Sequence, residues 1–133
     1  MPQLRTSEAG RLLGVSDDTV RRWVDSGKLT ASRDEVGRVV VEGSELARFA
    51  QASATAPELG STTEESARNR FTGLVTRVLK DGVMAQVEMQ AGPFRVVSLM
   101  SREAAEELEL EPGVVTVASV KSTQVVVERV RAR

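Results

Sequence analysis

The stretch Leu12 to Leu29, LLGVSDDTVRRWVDSGKL, holds the side chains whose types and spacing first suggest chemistry. Ser16 stands where an N-cap would, its hydroxyl placed to accept from a free N–H of a first helical turn. Asp17 and Asp18 follow, where negative charge suits the positive end of the helix dipole. Val20, Trp23 and Val24 recur at i, i+3 and i+4 and make one apolar stripe. Thr19, Arg21 and Arg22 flank that stripe on the exposed side and offer hydroxyl and guanidinium donors. Gly27 sits just past the helix end, where a left-handed residue is needed.

A second helix must position this one. It starts at Thr6 or Ser7, has Glu8 in its first turn and is expected to bury Ala9, Leu12 and Leu13. Gly14, between Leu13 and Val15, allows a sharp turn. Two short helices joined by a Gly-containing turn have the layout of a helix-turn-helix, whose second helix enters the major groove. They equally fit a helical hairpin packed inside an ordinary domain, and periodicity alone leaves both open.

Composition narrows the function classes. The 133 residues leave room for one domain or two small ones, with 18 basic against 19 acidic side chains and a net charge of −1. Cys, His and Tyr are absent. Disulfides, thiolate or imidazole metal sites and the commonest acid–base group are thereby excluded, so no catalytic or metal-binding residue is assigned and an enzyme is not expected. No apolar run reaches the roughly 18 residues of a membrane span, and the N-terminus lacks a signal-peptide pattern. The expectation is a soluble cytoplasmic protein with no membrane partner.

In chain order, Lys28–Ser32 and Arg38–Val41 read as the two strands of a hairpin, with Asp34–Gly37 as its turn. Ser44 is expected to cap a third helix that buries Leu46, Ala47, Phe49 and Ala50, with Val39, Val41 and Trp23 sharing the core. Residues 1–53 carry eight basic and eight acidic side chains. A neutral module gains little from phosphate neutralisation, so it should bind DNA weakly alone and better when paired. Residues 51–65 (QASATAPELGSTTEE) are small and polar and read as a linker, unless the third helix runs on to about Ala54.

From residue 66 the pattern turns β, with 14 Val among residues 70–133. Phe71–Lys80 is expected as a long strand bent at Gly73, joined by an Asp81-Gly82 type I′ turn to the alternating strand from Val83 to Gln90. Phe94–Met100 is a third strand. Ser101 caps a helix over Arg102–Leu110 with Ala104, Ala105 and Leu108 at helical spacing, and Pro112-Gly113 ends it. Val114–Lys121 and Val125–Val130 are the last two strands. Five strands with one short helix after the third suggest a small OB-like barrel. Its core is marginal at this size, so partner chains are expected to complete it.

Both halves resemble known families. LLGVSDDTVRRWVDSGKL, with its G-V-S turn, T-V-R-R-W helix and following G-K-L, resembles the winged helix-turn-helix of the MerR and excisionase families over roughly residues 3–50. That resemblance implies binding of double-stranded DNA, with Ser16, Thr19, Arg21 and Arg22 as contacts and Trp23 in the core. It makes the hairpin a wing, with Arg33 and Arg38 beside the phosphate backbone, although this wing also carries Asp34 and Glu35 at its tip. The words SARN (Ser66–Asn69), the capped helix SREAAEELELEPG and the strand end V-K-S, in order, resemble the Mop/TOBE domain over about residues 66–130. That family binds molybdate or tungstate. The resemblance implies an oxyanion held between subunits by Ser66, Arg68, Ser101, Lys121 and Ser122. Ser66, Arg68 and Lys121 would come from one side and the start of the helix, Ser101 to Ala104, from the other. Where the family often has a hydroxyl three positions after Ser101, this chain has Ala104. Without the resemblance, Lys121 reads as a solvated strand-end lysine and Arg68 as a partner of Glu64 or Glu65.

The expected whole is an α+β protein of two domains, a winged helix-turn-helix at 1–53 and an oxyanion-binding, oligomerising barrel at 66–133, linked by 54–65. It reads as a molybdate- or tungstate-responsive transcriptional regulator, a homo-oligomer that is at least a dimer, with the resemblance also allowing a hexamer. Two other readings are a molbindin-type molybdate store and an excisionase-like DNA-binding factor whose barrel only oligomerises.

Overall fold

The computed structural model describes residues 2–55 and 67–131. The chain divides into two compact units, Met1–Thr55 and Ala56–Arg133. Residues 56–66, with Ser66 and most of the expected linker, lie outside the described residues.

The first unit runs β1 (Gln3–Arg5), α1 (Thr6–Leu13), α2 (Asp17–Asp25), β2 (Ser32–Arg33), β3 (Val39–Glu42) and α3 (Gly43–Ser53). Ser16 caps α2 as its type predicts, accepting from Thr19 N–H at 3.1 Å. Gly14 at φ 72° ends α1, and Gly27 at φ 82° follows α2, both in the left-handed region. The two helices approach closely at Gly10. Val15 N–H donates to Gly10 O at 2.9 Å, and a Cβ on Gly10 would lie 2.7 Å from Val15 O. Around this contact Ala9, Val20, Leu29, Val41 and Leu46 form the buried core. Each larger side chain so buried contributes on the order of 1.5–3 kcal/mol. The Trp23 and Phe49 rings pack against that core with centroids 4.7 Å apart.

Several local expectations change. Leu12 is 67% exposed, while Leu13, one position on and about 100° round the helix, packs on the core. Lys28–Ala31 is not strand, and only Ser32–Arg33 pairs with β3. The reason is that the Lys28 and Leu29 amides both donate to Trp23 O, at 2.9 and 3.1 Å, closing α2 and driving Leu29 into the core. β1 was not expected; it pairs with β3 to make a sheet ordered β1-β3-β2. Ser44 does not cap α3, which starts at Gly43, whose N–H donates to Pro2 O at 2.9 Å. Ala47 is exposed.

The wing turn is built on Asp34. Its carboxylate accepts from Val36 N–H at 3.0 Å, Arg38 N–H at 2.9 Å and Arg38 Nε at 3.0 Å. The Arg38 amide bond above all, and the Arg38 guanidinium with it, hold the Asp34 carboxyl below the ordinary aspartate value of 3.8.

The second unit runs β4 (Asn69–Lys80), β5 (Met84–Ala91), β6 (Phe94–Ser101), α4 (Arg102–Glu107) and β7 (Val115–Val120). It is a curled, OB-like antiparallel sheet ordered β6-β5-β4-β7, which makes the whole chain α+β. β4 serves two neighbours. Its first half pairs with β7 (Asn69↔Val120 to Leu74↔Val115) and its second with β5 (Leu74↔Gln90 to Lys80↔Ala85). The change of partner falls at Gly73, where a Cβ would lie 2.2 Å from Gln90 O, and the register shifts between Val75 and Arg77. Ala85, Val87, Met89 and Ala91 of β5 alternate inward against Val75 and Ala105.

Here too details differ. Asp81-Gly82 is not a type I′ turn, because Gly82 has no positive φ. The Asp81 carboxylate instead accepts from the Val83 and Met84 amides, both at 2.7 Å, which shapes a wider loop. α4 stops at Glu107 rather than Leu110, because Glu109 takes φ 52°; Leu108 is exposed. Val125–Val130 is not a strand. After β7 the chain makes a 3-10 turn at Ser122–Gln124, and no β-pairing among the described residues includes 125–131. The sheet therefore has four strands, not five.

Two outcomes follow. Gly73→Ala should destabilise the second unit by about 1–3 kcal/mol, as overpacking against backbone does. Gly82→Ala, which meets nothing within 4 Å, should stay within about 0.5 kcal/mol in chemical denaturation. Because the Asp34 carboxyl is lowered, the order it gives the wing is present at neutral pH and lost as pH falls through its folded value. In an NMR titration the Arg38 amide should move with a midpoint below 3.8, and in Asp34→Asn it should not move in that range.

Candidate functional site

On α2 the polar residues form two stripes. Ser16, Thr19 and Arg22, at i, i+3 and i+6, are linked in a line. Ser16 Oγ and Thr19 Oγ1 lie 2.9 Å apart, and Arg22 Nη2 donates to Thr19 Oγ1 at 3.2 Å. These bonds hold the Arg22 head over an exposed helix face. The second stripe holds Arg21, whose guanidinium meets Asp17 at 3.2 Å. It borders a groove of about 550 Å³ between α2 and the wing, which also carries Arg5, Arg33, Arg38, Asp17 and Asp25. Four guanidinium groups thus face two carboxylates in a module whose summed charge is zero, so net charge concealed a local positive surface.

Arg33 and Arg38 are partly committed within the wing. Arg33 Nη1 donates to Gly37 O at 2.6 Å, and Arg38 pairs with Asp34 at 3.0 Å. Both still border the groove. Arg5 is the member the sequence reading missed. It enters because β1 pairs with β3, and its only signal is the short alternation Gln3-Leu4-Arg5 before the α1 cap.

In the second unit the expected anion residues fall at two places. The β4–β7 register pairs Asn69 with Val120, so Arg68 and Lys121 flank neighbouring positions, with Ser122 next in the chain. Asn69 Nδ2 donates to Val120 O at 3.3 Å and ties the two segments together; the sequence reading had not singled out its side chain. Arg68, Lys121 and Ser122 are all exposed. Ser66 lies outside the described residues. Ser101 lies elsewhere: it pairs with Met84, at the end of the sheet where Lys80 meets Ala85. These two register ends lie on different halves of β4, which changes partner and register between them.

Ser101 caps α4, its Oγ accepting from Ala104 N–H at 3.1 Å. The hydroxyl proton is not used in that bond and can still be donated. The start of α4 itself offers fewer free amides than its position suggested, since Ala104 N–H is taken by Ser101 and Arg102 N–H donates to Val83 O at 2.8 Å. The Arg102 side chain also holds the loop before β5, donating to Asp81 O at 3.0 Å, and pairs with Glu106 at 2.8 Å. The donor set is therefore a guanidinium, an ammonium and hydroxyls, which suits an oxyanion. Among the described residues no cluster of three or more carboxylate, His or Cys side chains could hold a metal ion, and no helix is long and apolar enough to cross a membrane.

Comparison with known proteins matches each unit to a family. Residues 4–54 match a helix-turn-helix domain model and residues 65–127 a TOBE domain model. The chain is 38% identical over 63 residues to the molybdenum-pterin-binding protein 2 of Clostridium pasteurianum, covering 93% of that protein and 47% of this chain. Among solved structures, MopII of Clostridium pasteurianum is 36% identical over all of its length and 50% of this chain, with a TM-score of 0.47. A molybdate-binding protein of Sporomusa ovata is 28% identical over the same shares, with a TM-score of 0.49. By the match to its Clostridium relative the chain belongs to the Mop-like TOBE-domain family, and it carries a helix-turn-helix domain ahead of the TOBE domain.

Proposed function

We propose that the chain is a transcriptional regulator that binds double-stranded DNA through its first unit and molybdate or tungstate through its second, in the cytoplasm. The observation that carries the sensor half is the donor set, a guanidinium, an ammonium and hydroxyls with no carboxylate in it. Arg68, Lys121 and Ser122 share one end of the sheet and Ser101 the other. The reading places the anion between subunits, with Ser101 of one copy facing Arg68, Lys121 and Ser122 of another. A relative named for molybdenum-pterin binding supports the ligand class. Arg68 and Lys121 would offset the two negative charges, while the Ser101 and Ser122 hydroxyls would donate to the oxygens. Ala104 adds a methyl group where a hydroxyl could have donated.

For DNA, Ser16, Thr19 and Arg22 are the base-facing set, and Arg5, Arg21, Arg33 and Arg38 flank the backbone. A module with no net charge binds weakly alone. An anion that binds only the assembled form stabilises it by mass action, about 2.7 kcal/mol at a hundred times its dissociation constant. Assembly then presents several DNA modules together. The internal commitments of Arg33 and Arg38 favour one other reading, a molybdate store whose helix-turn-helix no longer works on DNA.

Lys121→Ala should lower molybdate affinity about 10- to 100-fold in calorimetry, the effect of one charge-assisted hydrogen bond, with sulfate as the competing control. Unchanged affinity would remove Lys121 from the site. Arg22→Ala should weaken duplex binding by about 1–3 kcal/mol in fluorescence anisotropy and relax discrimination between duplex sequences. A store predicts no salt-sensitive binding for either protein.

A further inference from the structure

α2 carries two acid–base pairs at the same i, i+4 spacing, Asp17 with Arg21 and Asp18 with Arg22. Residues so spaced are neighbours on a helix face, and opposite charges there can close on each other. Only one pair closes. Arg21 Nη2 lies 3.2 Å from Asp17 Oδ2. The Arg22 guanidinium donates instead to Thr19 Oγ1 at 3.2 Å, and Thr19 Oγ1 in turn lies 2.9 Å from Ser16 Oγ. Asp18 is left exposed, and it enters no hydrogen bond or ion pair among the described residues.

A free carboxylate is out of place on a surface that meets phosphates, which repel it. The positive end of the helix dipole favours an acid there, but Asp17 already supplies one. Asp18 is the second residue of α2, and the first residues of a recognition helix are those that reach base edges. An ionised carboxylate only accepts hydrogen bonds. In the major groove the edge that suits it is cytosine, whose N4 amino group only donates. Guanine offers acceptors there, thymine an acceptor and a methyl group, and adenine sets the N7 acceptor beside its amino group. The Arg22 guanidinium has the opposite need, which guanine N7 and O6 meet. Four residues of helix rise about 6 Å, which spans about two base-pair steps of about 3.4 Å.

We infer that Asp18 determines sequence specificity by accepting from a cytosine N4 amino group, within two base-pair steps of a guanine read by Arg22. The inference rests on the proposed DNA reading of the first unit and adds what that unit selects, a duplex with two closely spaced G·C pairs. The open Asp18–Arg22 pair is what permits it. Closed on each other, the two side chains would have neither a free acceptor nor a free donor fork for a base. Thr19 keeps them apart by holding the Arg22 head. The same carboxylate discriminates against other sequences, because without an amino donor it meets only acceptors and phosphates. Asp18 therefore lowers affinity for DNA at large and raises the ratio of specific to non-specific binding.

The test is a selection from a randomised duplex library by the full chain at low salt, with and without molybdate. The enriched duplexes are expected to share two G·C pairs within two steps of each other. Asp18→Asn presents an amide that matches adenine N6 and N7, so one of the two pairs should become A·T while the other stays. Asp18→Ala should lose about 5- to 10-fold of the discrimination at that same pair, the lower end for one base contact. It should also bind a random duplex more tightly than the unmodified chain does. Ser16 and Asp17 still cap and charge the helix start in both variants, so a merely structural Asp18 would leave base identity unchanged. Identical enriched sequences from the unmodified chain and Asp18→Asn would overturn the inference and leave the DNA reading standing. Enrichment of no duplex by the unmodified chain in either condition would defeat the DNA reading and this inference with it.

Discussion

The second unit depends on how closely β4 can pass β5 at Gly73. The Gln90 carbonyl occupies the space a side chain would need there. That closeness lets one twelve-residue strand change partners midway, with β7 on its first half and β5 on its second. Three consequences follow from the same register. Arg68 and Lys121 come to neighbouring register positions, Ser101 falls at the other end of the pairing, and the sheet curls with β6 and β7 as its outer strands. The donor geometry and the curl of the sheet are thus two results of one backbone contact.

The first unit rests on a comparable approach, Gly10 against the Val15 carbonyl. It holds α1 against α2 and leaves α2 free to show its polar faces. The Ser16–Thr19–Arg22 line both caps the helix and steers a guanidinium outward. The wing adds Arg33 and Arg38 but spends part of their hydrogen bonding on its own turn. The result is a small, locally basic surface on a neutral module, which suits binding that becomes effective when modules are presented together.

Much of this was legible in the sequence because the signals were local. The Ser16 and Ser101 caps, the left-handed Gly14 and Gly27, the Val20 stripe and the β5 alternation each depend on residues within one or two turns of themselves. The differences arose where distant or side-chain partners decided the outcome. β1 exists only because β3 lies beside it, and with it came Arg5. Lys28 and Leu29 look strand-like but are drawn to the Trp23 carbonyl. Asp81-Gly82 has hairpin composition, yet the aspartate carboxylate takes the amides that a tighter turn would leave to the backbone. Val125–Val130 has strand composition, but no β-pairing among the described residues includes it. The residues proposed for the anion came from the SARN and V-K-S words, whereas their places in the sheet required the register.

The central claim is that anion binding and DNA binding are linked through assembly. Its most direct test is anisotropy of a labelled duplex titrated with the full chain, at fixed salt, with and without saturating molybdate. The account predicts that molybdate changes the DNA affinity by tenfold or more, that the sedimenting species changes in parallel, and that sulfate at equal concentration does neither. The same isotherm and the same mass in both conditions, with molybdate shown to be bound, would contradict it.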